Sequence, residues 1–266
     1  LAAIVLQFRR LAKLKGTYVD RFHPDAEDSY IYPDGLIHCS FNTTIAATRR
    51  LSSSNPNNQN WPKRRDREIR KIIRAPKGWV LLAGDYGQIE ARVIGQASRD
   101  KVFCKALWDD YDVHMEWAEK VAEAYPATFR ERGSNIKKFR SEIKNEFVFP
   151  AFFGSSWRSI GRSLSLPDDV CQDLFEEFWD TFRGVSRWQK EVTRGYHENG
   201  YVETLTGHRR QGPISHNMQI NTPVQGTASD ITVDAMNRAS EDAAFDEFPD
   251  WLQPVLNVHD DITGLV

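Results

Sequence analysis

The sequence predicts an α+β fold in which a sheet drawn from both ends of the chain is split by a helical insertion. Three observations predict it. Trp79 to Asp85 is an apolar run with the length of a buried strand. Helical periodicity then dominates from residue 88 to residue 199. Towards the C-terminus, Val255 to Val258 and Ile262 to Val266 flank His259-Asp260-Asp261, the pattern of a tight β-hairpin with carboxylates at its tip.

The elements follow in order. Ile4, Leu6, Phe8, Leu11 and Leu14 fall mostly on one side of an N-terminal helix, which Gly16 should stop. Tyr30 to Ser40, with Pro33-Asp34-Gly35 between apolar runs, reads as a hairpin. Ser52 to Pro62 is polar and proline-punctuated, hence loop, and Arg67 to Ile73 should be a short helix. Segments 88–98, 112–125, 135–149, 155–164, 168–180 and 184–199 fit helices, with Pro126 and Pro167 at two boundaries. Tyr201 to Leu205 reads as a strand, Gly207 to Arg210 as a turn, and 219–242 as a helix interrupted near Pro223.

A chain of 266 residues makes one large domain or two modest ones and can bury a core without a disulfide or metal staple. Cys39, Cys104 and Cys171 lie far apart with no C-x-x-C pair, which argues against a disulfide framework or structural zinc and suits a reducing compartment. The opening Leu-Ala-Ala-Ile-Val-Leu run is too short to span a bilayer and no cleavage site follows it, so neither a membrane nor a secreted protein is expected. There are no internal repeats. The net charge of −2 taken whole argues against a nucleic-acid partner, but the charge is segregated. Residues 1–80 carry 15 Lys and Arg against 7 Asp and Glu, and the remainder carries 20 against 30. Basic residues are densest from Lys63 to Lys77, eight against two acids. A solvated face and a polyanion track beside a cation site are both consistent with this.

Asp85 ends one apolar strand and Asp260 follows another, Val-Leu-Asn-Val-His. A carboxylate held at a buried strand end needs a partner. Mg²⁺ takes one or two carboxylates plus substrate phosphates, and two such ions can clamp both oxygens of a phosphoryl displacement. Taken singly, each acid reads better as a strand cap or an Arg partner than as a metal ligand; together with the surrounding motifs the metal is favoured.

Asp85-Tyr86-Gly87-Gln88-Ile89-Glu90-Ala91-Arg92 resembles motif A of family A DNA polymerases, and Val258-His259-Asp260-Asp261 resembles motif C. Thr48-Arg49-Arg50-Leu51-Ser52-Ser53, followed by Pro56 to Pro62, is similar to the family segment before motif A. Tyr201 to Arg210 and Asn221 to Ala228 resemble two further segments, and all five stand in the family's order. The resemblance implies a right-hand polymerase. Residues 1–100 would be the first part of the palm with its antiparallel sheet, 101–200 the helical fingers, and 201–266 the second part of the palm. The thumb and exonuclease domains would lie outside this chain, in the full-length protein. Departures in the fingers fit a viral or bacterial origin, hence the cytoplasm of a bacterial or virus-infected cell.

The resemblance also implies roles. Asp85 and Asp260 would be catalytic and metal-binding, with the Tyr86 carbonyl a further ligand for two Mg²⁺ ions, Mn²⁺ being a substitute. Gln88, Glu90, His114, Arg140, Lys144, Phe149 and Phe153 would bind the deoxynucleoside triphosphate, Glu90 blocking a 2′-hydroxyl. Glu90 lies five residues after Asp85, about 140° around on a helix. Arg50, Asn60, Arg210, Asn221, Gln225 and His259 would contact primer–template DNA, several of them in the minor groove, where a polymerase can test pair geometry without choosing sequence. Asp261, where glutamate is commoner, would be a supporting acid, and Arg49 stands where glycine is usual.

The fingers helix departs from the family pattern R-x3-K-x3-[F/Y]-x3-Y-G. Arg140 and Lys144 keep the i, i+4 spacing that puts two cations on one face for a triphosphate, as do Phe149 and Phe153 for a base or sugar. Lys144 to Phe149, however, is five residues where the pattern has four. A regular helix would turn the aromatic pair about 100° away from the cations. Pro150 removes an N–H and crowds the carbonyl of residue 146, so a single π-type turn near 145–149 is expected to absorb the extra residue. Phe147 and Phe152 read as core. The function implied is template-directed DNA synthesis on a primer 3′-hydroxyl with release of pyrophosphate. The alternatives are a catalytically weak primer–template-binding fragment and a single-subunit RNA polymerase-like enzyme, against which Glu90 argues.

Overall fold

The computed structural model describes residues 1–62, 66–109, 111–244 and 253–266; Lys63, Arg64 and Arg65 of the basic cluster lie outside the described residues. In chain order the elements begin with α1 (Ala2–Leu14), β1 (Ser40–Asn42), β2 (Ser52–Ser54), β3 (Leu81–Asp85), α2 (Ile89–Ser98), α3 (Lys101–Trp108) and α4 (Val113–Ala124). There follow α5 (Pro126–Glu131), α6 (Ile136–Ile143), α7 (Phe149–Phe152), α8 (Trp157–Leu164), α9 (Asp168–Thr181) and α10 (Arg183–Asn199). The chain closes with β4 (Tyr201–Glu203), β5 (Arg209–Gln211), α11 (His216–Ala244), β6 (Gln253–Val258) and β7 (Asp261–Leu265). Two compact units result, Leu1–Tyr86 with Ile231–Val266, and Gly87–Asp230.

The first unit is built on a three-stranded antiparallel sheet of order β3-β7-β6. Contrary to expectation β3 is not buried: Leu81 and Leu82 are 39% and 52% exposed. It is an edge strand with one neighbour, and its residues line an open hollow of about 420 Å³ with Ala239, Pro254, Ile262 and Gly264. Gly16 does not stop the first helix. The helical path continues as a π turn, Lys15–Val19, closed by the Asp20 N–H on the Lys15 carbonyl, and then a 3-10 turn, Asp20–Phe22. That path delivers Tyr18 and Phe22 to Trp61, each ring centroid 5.1 Å from the indole, in a small core of their own. The hairpin expected over Tyr30–Ser40 reduces to one bridge, Ile31 to Ile37. Ser40–Asn42 instead pairs with Ser52–Ser54, which had read as loop. The polar stretch can be a strand because buried Ser53 is satisfied: its hydroxyl donates to the Pro56 carbonyl and accepts from the Asn58 N–H. Arg67–Ile72 is the expected short helix, in 3-10 form.

The second unit contains every helix expected over 88–199 and two the periodicity did not separate, α3 and α5. Asp100 caps α3 through the Phe103 N–H at 2.9 Å and also accepts from the Gly184 N–H at 2.6 Å. A Cβ at residue 184 would come within 2.8 Å of Asp100, so only glycine fits that approach. Pro126 is the first residue of α5, where its missing N–H costs nothing. Trp117, Phe139, Phe147, Phe178 and Phe182 are almost fully buried, and Phe152 is 3% exposed, so Phe147 and Phe152 are core as expected. The turn before β5 ends at His208, and Arg209–Gln211 pairs with Tyr201–Glu203 rather than forming the turn. Nor does α11 break at Pro223. Thr222, Pro223 and Val224 are all buried, and burial on this scale offsets the lost backbone bond.

The expected wide turn is present. Between α6 and α7, Lys144–Val148 is π-helical, and the Phe149 N–H bonds the Lys144 carbonyl five residues back.

Candidate active site

At one corner of the first unit's sheet, Asp85 ends β3 and stands directly opposite Asp261, the first residue of β7. The Tyr86 N–H donates to the Asp260 carbonyl at 3.2 Å, so the chain just past Asp85 is tied to the hairpin tip. Val258 and Asp261 pair across the tip, leaving His259 and Asp260 as the two-residue turn, with His259 left-handed at φ +65°. Thus Asp85, Tyr86, Asp260 and Asp261 are neighbours, although 175 residues separate Asp85 from Asp260. Thr263 donates its hydroxyl to the Asp261 carboxylate at 3.0 Å, which suits a supporting acid.

One residue that holds this corner was not singled out from the sequence. Asn257 is 2% exposed, and its carboxamide donates to the carbonyls of His259 (3.0 Å) and Asp261 (3.2 Å). The Gln59 carboxamide in turn donates to the Asn257 carbonyl (3.2 Å) and the Leu51 carbonyl (2.8 Å). The signal was an amide inside an apolar strand run. Asn60, beside Gln59, has an exposed side chain and is anchored through its carbonyl, which accepts from the Tyr18 hydroxyl at 2.6 Å. Arg49, where glycine is usual in the family, has φ +60°, the conformation that favours glycine. Arg50 beside it is half-buried.

In the second unit five expected nucleotide ligands form a connected set. Arg140 donates to the Asp112 carboxylate at 2.6 Å, and Asp112 caps α4, accepting from the Met115 N–H at 3.0 Å. Burial alone would raise the Asp112 carboxyl; the Arg140 guanidinium and that N–H outweigh it and hold it below its usual value. His114, two residues on, meets the edge of Phe149 at 5.3 Å. Burial, and then the charges of Lys144 and Arg140, push the imidazole down to about 4, so it is neutral at pH 7. The Lys144 ammonium lies 4.9 Å over the Phe149 ring, and Phe149 lies 6.2 Å from Phe153. The π turn makes the first of these contacts possible, because it brings residues five apart onto one face. Gly154, at φ +84°, ends this helix where a Cβ would press on Ile220 at 3.2 Å.

The turn itself is braced by a pair the sequence reading missed. Both guanidinium nitrogens of Arg132 donate to Glu146, each at 3.1 Å, and Arg132 also bonds the Ser163 carbonyl at 2.8 Å. Elsewhere in this unit Arg210 donates to the Thr222 hydroxyl at 2.9 Å. Asn221 and Gln225 lie one turn apart on α11, half-buried, with the Asn221 side-chain oxygen buried and lacking a hydrogen-bond partner. Gln88, left-handed at φ +55°, precedes α2, and Glu90 is in its first turn. Asp85 is therefore in a strand, and the helical angle reckoned between it and Glu90 does not apply.

Among the described residues no group of three or more His, Cys, Asp or Glu side chains is arranged to hold a metal. Two carboxylates at a sheet corner, with an exposed approach at Asp85, nonetheless fit Mg²⁺, which completes its shell with water and substrate oxygens.

An α+β framework with antiparallel sheets thus carries, in one order along the chain, the segments that resemble those of family A polymerases. The model of DNA polymerase family A matches residues 1–266, and the chain belongs to that family. It is 34% identical over 248 residues to DNA polymerase I of Chloroflexus aurantiacus, covering 89% of this chain and 25% of that protein. With thermostable DNA polymerase I of Thermus aquaticus the identity is 35% over 250 residues, covering 87% and 28% respectively. The chain thus spans about a quarter of the length of such relatives. Among solved structures, the POL domain of Pol1 from M. smegmatis, in complex with DNA primer-template and dNTP, matches with TM-score 0.78 and 29% identity. That match covers 98% of this chain and 46% of the other.

Proposed function

We propose that the chain is the palm and fingers of a template-directed DNA polymerase, adding deoxynucleotides to a primer 3′-hydroxyl. The observation that carries this is the pairing of Asp85 with Asp261, which draws Asp85 and Asp260 to one corner. Like charges directly opposite on a sheet are destabilising, and a cation relieves them. Asp85, Asp260 and the Tyr86 carbonyl would hold the ions, and Asp261 would support them. Bound Mg²⁺ would supply Lewis-acid polarisation of the hydroxyl and stabilise charge on the α-phosphate.

The remaining contributions belong to side chains of the second unit. Lys144 and Arg140 provide cationic donors for phosphate oxygens. A neutral His114 can donate a hydrogen bond to those oxygens without adding charge. Phe149 and Phe153 offer ring faces to base or sugar, and Glu90 fills the space a 2′-hydroxyl would need. Asn221, Gln225 and Arg210 supply donors of the kind that read minor-groove acceptors. In the reaction the primer 3′-hydroxyl gives its proton to solvent water as its oxygen bonds the α-phosphorus, the bond from that phosphorus to the bridging oxygen breaks, and pyrophosphate leaves with that electron pair. The protein acts by positioning and electrostatic stabilisation.

Primer extension tests the reading. Asp85→Asn or Asp260→Asn should lower the rate at least about 10²-fold with folding intact. Extension that survives both substitutions would leave a primer–template-binding fragment as the better account. Glu90→Ala should admit ribonucleotides; a wild-type chain that already prefers them would point to RNA synthesis.

A further inference from the structure

The helical unit also carries a groove in which cationic side chains face aromatic rings. A groove of about 1100 Å³ runs along α10, walled on its other side by Phe175 and Trp179 of α9. Arg183, Arg187, Lys190 and Arg194 line it, spaced four, three and four residues apart, which sets all four on one helix face. All four are exposed. Two acids, Glu176 and Asp180, share the groove; Asp180 pairs with Arg183 at 3.2 Å, while Arg194 meets Glu198 at 4.0 Å. Arg187 and Lys190 make no ion pair among the described residues. Phe175 and Trp179 are half-buried, their rings 5.8 Å apart and nearly perpendicular, so each is braced while presenting surface to the groove.

We propose that this groove binds an unpaired strand of nucleic acid. The span from Arg183 to Arg194 is about 17 Å, long enough to follow several consecutive phosphates of one strand. A row of cations facing aromatic rings is the combination that holds single strands without choosing sequence: the cations track the backbone and the rings stack bases. An acidic peptide would use the cations but not the ring faces. The position of the groove identifies the strand. Its lining includes Gly154 and Ser155, the residues immediately after Phe153, and His216, five residues before Asn221. A strand leaving the nucleotide-binding helix and the start of α11 is therefore adjacent to it. On the polymerase reading, on which this part rests, that strand is the template not yet copied.

Binding of the chain to two primer–templates tests the proposal, one with a template overhang of about ten thymidines and one with a couple. In the double variant Arg187→Gln/Lys190→Gln, affinity for the long overhang should fall about 10-fold. The slope of log K against log salt should shrink by about 1.4, two phosphate contacts at ~0.7 each. Affinity for the short overhang, and extension on it, should be unchanged. Trp179→Leu should lose part of the long-overhang affinity and Trp179→Phe should retain it. Equal loss on both substrates, or no loss on either, overturns the proposal. So does poly-glutamate displacing labelled oligothymidine as well as unlabelled oligothymidine does, which would mark a site for acidic peptides. If extension instead proves insensitive to Asp85→Asn while the overhang-dependent loss is seen, the polymerase reading fails and the groove stands.

Discussion

The two units hold their functional groups by different means. In the first, the carboxylates sit at the exposed corner of a three-stranded sheet and are placed by backbone register, with Asn257 tying down the turn. The nearest thing to a separate core there is the trio Tyr18, Phe22 and Trp61. In the second, the proposed nucleotide ligands ride on helices packed through fully buried Trp117, Phe139, Phe147 and Phe178, and ion pairs set the last details. A corner set by hydrogen bonds can adjust to incoming ions and phosphates; a surface set by packing cannot move without disturbing its core.

Four measurements sharpen or break that contrast, in falling order of effect. Phe147→Ala, a buried residue of the π turn itself, should cost about 3–5 kcal/mol in chemical denaturation, whereas Leu82→Ala on the exposed strand should cost well under half of that. Equal losses would erase the distinction. Next is pH. His114 has a folded value near 4 against about 6.5 unfolded, so the unfolded chain binds the proton more readily between those limits. Stability should be level above about pH 6.5 and decline by up to about 3 kcal/mol as pH falls towards 4. His114→Gln should flatten that part of the profile; an unchanged profile would mean that the histidine is not neutralised by its surroundings.

Third, Arg132→Ala removes the bidentate partner of Glu146 and should cost about 1–3 kcal/mol. Because the lost brace lies on the turn carrying Lys144, KM for the deoxynucleotide should rise more than kcat falls. Smallest in stability is Asn257→Ala, about 1–2 kcal/mol. Its kinetic mark should be the reverse, a lower kcat with KM nearly unchanged, since it loosens the carboxylates and leaves the triphosphate contacts alone. The same kinetic split from both variants would show that the two units are not specialised in this way.

Much of this was legible because the relevant residues obey local rules. The tip of the C-terminal hairpin follows from two apolar runs around His259-Asp260-Asp261, and the π turn from one surplus residue beside Pro150. What escaped depends on distant partners. Ser52–Ser54 reads as loop until Ser40–Asn42 is there to pair with it, and Trp79–Asp85 reads as buried although the fold leaves it at a sheet edge. Pro223 looks like a break in a helix whose surroundings support it. Arg132 and Glu146, fourteen residues apart, carry no motif; only the fold shows that the residue closing α5 reaches the π turn.

The wide turn at Lys144–Val148 also bears on how distant relatives should be compared. A helix normally cannot gain one residue without rotating everything beyond it, so its length behaves as fixed in evolution. Here the insertion is absorbed within a single turn, and the face downstream returns to register. Alignments that forbid gaps inside helices would shift Phe149 and Phe153 by one position against the pattern R-x3-K-x3-[F/Y]-x3-Y-G and miss the face they share with Lys144.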